Sequence, residues 1–163
     1  MKPFMHEKEI KLIEKYLSVE KKVFEWGSGG STLYFPKFVS NYRSIEHDKV
    51  WFDRVSAKIN SNVDYHYVPN DEKKSNPTKK EQFLTYINFI DNFSDKFYDI
   101  FLIDGRARQW CAEKALNYCH KDTIVFIHDF WKRKRYHVAL NWFDVVDSIK
   151  DTQQTIVALK KKG

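Results

Sequence analysis

The chain has 163 residues, 42% of them hydrophobic and 17% aromatic, with a formal net charge of +6. That length and apolar content predict one domain over residues 1–163 with a sizeable core, and they exclude disorder as the default. No run approaches the roughly 18 apolar residues of a membrane span, and Met1–Met5 leads into HEKEIK rather than a signal-peptide core. Cys111 and Cys119 lack metal-site spacing and predict a reduced, cytoplasmic protein; the positive charge permits an anionic partner without demanding nucleic acid.

His6–Leu17 carries Ile10, Ile13 and Leu17 at helical spacing and predicts an N-terminal helix over about residues 6–18. Val23–Glu25 reads as a first short strand running into Gly27, Gly29 and Gly30. The chain holds only five glycines, so three in four positions mark a turn where the backbone needs positive φ or close approach. A strand, a glycine-rich turn and a helix also bring backbone N–H groups together around an anionic group, so this turn is expected to cradle a cofactor. Ser31 is placed to cap the next helix, which Pro36 keeps short or kinked.

Tyr42–Ile45 is a second strand ending in Glu46-His47-Asp48, and Asp48 can cap a helix whose Trp51, Val55 and Ile59 share a face. Val63–Val68 alternates as a third strand, and the lysine-rich stretch Asp71–Lys80 is a surface loop. Thr78 and Glu81 form a capping box for a helix running to about Phe93. Tyr98–Ile103 is apolar on both faces and predicts a central strand. A helix carrying Cys111, Ala115, Leu116 and Cys119 follows, then a fifth strand, Thr123–Ile127, ending in His128-Asp129. Trp142–Ile149 and Thr155–Leu159 read as two strands joined by a tight polar turn, hence an antiparallel hairpin. The pattern predicts an α/β fold: a mostly parallel seven-stranded sheet with helices on both faces and a closing C-terminal hairpin.

The chemistry-bearing residues fall at the carboxyl ends of successive strands: Glu25-Trp26-Gly27, Glu46-His47-Asp48, Asn70-Asp71, Asp104-Gly105-Arg106 and His128-Asp129. In an open parallel sheet those ends line one ligand-binding crevice. A dinucleotide-binding GxGxxG is not met, because its third position is Thr32. An acid before the glycines suits a ligand bearing an ammonium group better than a pyrophosphate.

These motifs, ExGxGxST after strand one, an acid after strand two and IDG after strand four, resemble the class I S-adenosylmethionine (SAM)-dependent methyltransferases. SIEHD, IDGRAR and IHDFW are similar, more narrowly, to compact glycan O-methyltransferase domains. The resemblance implies SAM as cofactor, with Glu25 at its ammonium and Trp26, Gly27, Ser28 and Gly29 along the turn. It further implies a Rossmann-like sheet, Ser31 and Thr32 at the methionine carboxylate, Glu46 at the ribose, Asn70 or Asp71 at the adenine, and His47 and Asp104 among the cofactor-binding residues. Methyl transfer to a hydroxyl also needs the proton removed, by a base or by a metal that acidifies it. His128 or Asp104 is placed to supply a direct base, or Asp104, His128 and Asp129 together to bind a divalent ion, Mg²⁺ or Mn²⁺. Their positions are similar to those of the metal-binding acids of related O-methyltransferases, which carry a carboxylate or amide where His128 stands.

Arg106, Arg108, Trp131, Arg133, Arg135 and Tyr136 sit on the two loops beside the crevice and suit an acidic or phosphorylated sugar or glycan acceptor. With no cap domain, the acceptor is expected to be held by loops, the N-terminal helix or a second subunit of a homo-oligomer. Two alternatives stand beside this reading, an RNA methyltransferase and a non-catalytic cofactor-binding scaffold subunit. The absence of an (N/D)PP(Y/F) motif after strand four argues against the amino-methylating DNA enzymes.

Overall fold

The computed structural model describes residues 1–163. Seven strands form one sheet: β1 (Lys22–Trp26), β2 (Asn41–Glu46), β3 (Val63–Tyr67), β4 (Tyr98–Ile103), β5 (Cys119–His128), β6 (Phe143–Ile149) and β7 (Ile156–Lys161). Their spatial order is β3-β2-β1-β4-β5-β7-β6. The first five strands run parallel, while β7 pairs antiparallel with both β5 and β6, so the closing hairpin enters as expected. Consecutive strands β1 and β2 lie side by side, and the chain then crosses back so that β4 flanks β1 on its other edge. That reversal opens a crevice at the carboxyl ends of β1 and β4.

Alternation along the central strand builds both faces of the core. Phe101 and Ile103 of β4 join Phe24, Trp26 and Ile45 beneath α4 (Leu84–Asn88) and α5 (Arg108–Ala115). Ile100 and Leu102 pack on the opposite face with Val23, Tyr42, Phe126 and the Ile10–Ile13 stripe of α1 (Glu7–Glu14). The core of the first layer is aromatic: Trp26 and Phe101 stack at 5.7 Å between centroids, a geometry that adds to area burial. No helix is long and apolar enough to cross a membrane.

Local departures have identifiable causes. Gly29, not Ser31, is the N-cap of α2 (Gly30–Tyr34), and a 3-10 helix carrying Pro36 takes over at Phe35, so this helix is indeed short. Asp48 caps α3 (Lys49–Ser56) by accepting from Trp51 N, but the helix ends before Ile59. Thr78 does not cap the next helical stretch. Lys79 does, with Gln82 Oε1 accepting from its backbone N–H, and the stretch breaks into 3-10, α and 3-10 segments. Cys119 begins β5 instead of ending a helix, so that strand is longer than its apolar run; both cysteines are buried and free.

Candidate active site

The glycine turn rests on contact between two strand ends. Gly27 has φ +91°, and a Cβ there would lie 2.5 Å from Gly105 N, so only glycine lets the β1 and β4 turns touch. Asp104 N donates to Trp26 O at 2.9 Å across the same seam. The Trp26 side chain, however, is in the core with its indole N–H donating to Tyr86 O, and does not reach the crevice.

Glu25 lies directly beneath the turn, 1% exposed. Its carboxyl accepts hydrogen bonds from the hydroxyls of Ser31, Thr32 and Ser44. Burial pushes the group up to about 7, although those hydroxyls pull the other way. Thr32, fully buried, also takes Gly29 N–H on its oxygen. Glu25 and Thr32 therefore brace the turn from below, while Ser31 borders open space above it.

Glu46 sits at the end of β2 and is richly solvated by protein. Oε2 accepts from Ser28 N and Ser28 Oγ at 2.9 and 2.8 Å, and Oε1 from His47 N and Asp48 N, both at 2.9 Å. Burial works to raise its pKa, but these donors and the neighbouring His47 hold it below the usual carboxylate range. Ser28 Oγ also meets Tyr65 OH of β3 at 2.5 Å. Trp51 of α3 closes the turn from outside, its indole N–H donating to Ser28 O at 2.7 Å.

Two open lobes meet at this point. One, of about 450 Å³, is lined among others by Gly27, Ser28, Glu46, His47, Asp104 and Gly105. The other, of about 180 Å³, lies over Gly29, Gly30 and Ser31 and is walled by Phe4 and Met5. Ser28, Trp51 and Asp104 border both. An elongated ligand with a neutral ring system at one end and a charged tail at the other fits the pair, as S-adenosylmethionine would.

Asp104, His128 and Asp129 do come together, with ligand-type atoms within 4.8 Å of one another. Yet Arg108 is already seated among them. Its Nη2 lies 3.1 Å from Asp104 Oδ1 and its Nη1 3.2 Å from Asp129 Oδ2, and it also donates to the carbonyls of Gly105, His128 and Asp104. A divalent ion there would have to displace a buried guanidinium held by five contacts, so these residues do not fit a metal. His128 is 4% exposed; its Nδ1 lies 3.1 Å from Asp104 Oδ1 and its Nε2 lies 3.8 Å from Glu9 Oε2. Burial works to lower its pKa, but the two carboxylates prevail and raise it to about 9. Asp104, about one third exposed, is held below the usual range by His128 and Arg108 against the effect of burial. Asp129 adopts φ 59°, a left-handed conformation that Asp tolerates, fixed by its N–H donating to Thr155 O.

The other expected site residues are dispersed. Arg106 is exposed and lines the larger lobe. Tyr136 is 1% exposed, with Arg135 against its ring, and Trp131 is half-buried under Lys150. Arg133 is 3.6 Å from Asp129. Asp71 binds Thr85 N and Thr85 Oγ1, tying the surface loop to α4, and neither it nor Asn70 borders either lobe. Trp51, Arg54, Lys74 and Glu9 were missed from sequence. In the sequence Trp51 falls on a helix stripe and Lys74 in the surface loop, and Arg54 and Glu9 have no assigned role; in the structure Glu9 accepts from His6 N at the start of α1.

No protein-family model matches the sequence, and no curated protein is detectably similar to it. Solved structures are similar in shape. A methyltransferase-like protein from Silicibacter pomeroyi aligns with a TM-score of 0.68 and 17% identity, over 99% of this chain and 89% of its own. A ribosomal protein L11 methylase from Lactobacillus delbrueckii subsp. bulgaricus aligns at 0.67 and 12% identity, over 98% and 81%. A candidate methyltransferase from Streptococcus mutans in complex with SAH aligns at 0.65 and 11% identity, over 97% and 100%. At such identities the likeness is one of architecture, and it agrees with the strand order: the chain has the Rossmann-like fold of the SAM-dependent methyltransferases.

Proposed function

We propose that residues 1–163 form a methyltransferase domain that moves a methyl group from S-adenosylmethionine to a hydroxyl of a sugar or glycan. The observation that carries this reading is the position of Asp104. It stands where the two lobes meet, ionised, part-exposed and gripped from behind by His128 and Arg108. The cofactor supplies an activated methyl group on a sulfonium. Glu46 is suited to the ribose hydroxyls, Gly27–Ser31 to close backbone approach, and Ser31 to the methionine end.

Transfer from a sulfonium is an in-line displacement, so holding the acceptor oxygen on the far side of the methyl does much of the work. Asp104 would accept the hydrogen bond of that hydroxyl and take its proton as the new O–C bond forms and the methyl–sulfur bond breaks, with neutral S-adenosylhomocysteine as the leaving group. His128, positively charged at neutral pH, keeps the Asp104 carboxylate ionised and in place rather than serving as the base. The sugar assignment rests on the resemblance of SIEHD, IDGRAR and IHDFW to glycan O-methyltransferases. Calorimetry with S-adenosylhomocysteine and a labelled-methyl assay over a panel of sugar acceptors test it. Asp104→Asn is expected to abolish turnover while leaving cofactor affinity within about tenfold, or ~1.4 kcal/mol. Turnover that survives this change removes Asp104 from the mechanism, and a protein that binds no S-adenosylhomocysteine leaves only the scaffold reading.

A further inference from the structure

The larger lobe has a lining that the cofactor does not account for. Besides Arg108, which is spent on Asp104 and Asp129, it is bordered by Arg54 of α3, Lys74 of the surface loop and Arg106 of the β4–α5 turn. These three come from separate parts of the chain, all are exposed, and none is in an ion pair. The acids in the same lining have other commitments. Glu46 accepts from four protein donors and is assigned to the cofactor's ribose, and Asp104 is held by His128 and Arg108. Asp48, the remaining one, caps α3 through Trp51 N and feels Lys74, two effects that keep it below the usual range. The adenosine half of the cofactor carries no negative charge, and its one carboxylate belongs over Gly29–Ser31 in the other lobe.

Resting on the cofactor reading above, we propose that the acceptor carries a phosphate or diphosphate ester, gripped at this lobe by Arg54, Lys74 and Arg106. A carboxylate needs one bidentate arginine, whereas a phosphate ester brings about −1.5 to −2 charges and three strong acceptor oxygens. Three cations from separate segments border this one lining, Lys74 near Asp48, and match that second demand. Their convergence on one crevice of about 450 Å³ favours a compact phosphorylated molecule over a nucleic acid, which would be tracked by an extended basic stripe with exposed aromatic faces. The anionic acceptor group thus sits on the α3 side of the crevice instead of on the Trp131–Tyr136 loop, whose Tyr136 is buried and whose Arg133 leans on Asp129.

The test is calorimetry of pyrophosphate against the protein saturated with S-adenosylhomocysteine. Pyrophosphate is expected to bind the saturated protein, and Arg106→Gln combined with Lys74→Gln to weaken it at least about tenfold. The same double variant is expected to change S-adenosylhomocysteine affinity by less than about threefold, which also shows that it is folded. Arg54→Gln alone gives a smaller loss in the same direction. Pyrophosphate binding that is absent, that survives the double variant, or that competes with S-adenosylhomocysteine overturns the proposal. So does a single-stranded RNA oligomer that binds more tightly than pyrophosphate with a steep salt dependence. If S-adenosylhomocysteine does not bind while pyrophosphate binds and is lost in the double variant, the cofactor reading fails and the anion site stands.

Discussion

A buried carboxylate keeps its charge only where donors replace the water it has lost, and the two strand-end glutamates show the difference. Glu46 has three backbone N–H groups and a hydroxyl and stays ionised, whereas Glu25 has hydroxyls alone and titrates near 7. His128 is raised to about 9 by Asp104 and Glu9. Both shifts have the same sign for stability. The folded state holds Glu25's proton above the pH at which the unfolded chain releases it, and likewise that of His128, so stability falls as pH rises. The Glu25 contribution is lost between about pH 4.5 and 7, and that of His128 between about pH 6.5 and 9. Melting temperature is therefore expected to decline across both windows, and His128→Gln to flatten the upper one only. An unchanged upper limb would mean that His128 is not charged in the fold. The guanidinium of Arg108 carries a second expectation at this scale: exhaustive EDTA treatment leaves methyl transfer unchanged. The strand-end positions of Glu46, Asp104 and His128 were legible in the sequence: Asp104 and His128 follow apolar runs, and Glu46 closes the short stretch Tyr42–Ile45. Glu9 was not, because it meets His128 only through the packing of the N-terminal helix over β5, a contact between distant parts of the chain.

At the scale of elements, the glycine turn works as a joint between three segments. Gly27 admits the β4 turn, and Gly30 admits the N-terminal arm, since a Cβ on Gly30 would lie 2.0 Å from Lys2 O and 2.8 Å from Pro3 Cα. Gly30→Ala is expected to lift the arm and open the smaller lobe, increasing proteolysis near Met5. Gly30 has no positive φ to strain, so its cost comes from displacing the backbone of the arm. Gly27→Ala combines a positive φ with a backbone clash and is expected to cost more, about 1–3 kcal/mol from the strained conformation alone. Limited proteolysis and thermal melts of the two variants separate these outcomes. Strands were easier to read than helices here: apolar runs mark β4 and β5, and alternation marks β3. The helical stretch after the lysine-rich loop was misplaced by one residue, because Thr78 and Lys79 both precede an acceptor three positions on and only tertiary contact decides between them. Gln82 settles it: its amide donates to Lys73 O and Ser75 Oγ, holding the loop against the helix start.

For the molecule as a whole, strand order brings four turns far apart in the chain to one rim, and that arrangement could be foreseen from α/β alternation and the closing hairpin. The division of labour among cations at the rim could not be foreseen. Arg108 and Arg106 are two positions apart, yet one is built into the interior and the other faces the crevice, because α5 begins between them. Trp51 has an optical consequence. It is the indole that borders both lobes, and its N–H is committed to a carbonyl of the glycine turn, so any occupant of the crevice changes the polarity around it. Trp26 is sealed in the core, Trp131 is half-buried under Lys150 and borders neither lobe, and Trp110 and Trp142 border a separate groove. Emission from the native protein should therefore shift in wavelength or intensity as S-adenosylhomocysteine is added, and Trp51→Phe should silence most of that response. The chain carries its own fluorescent gauge of occupancy, readable without label or turnover.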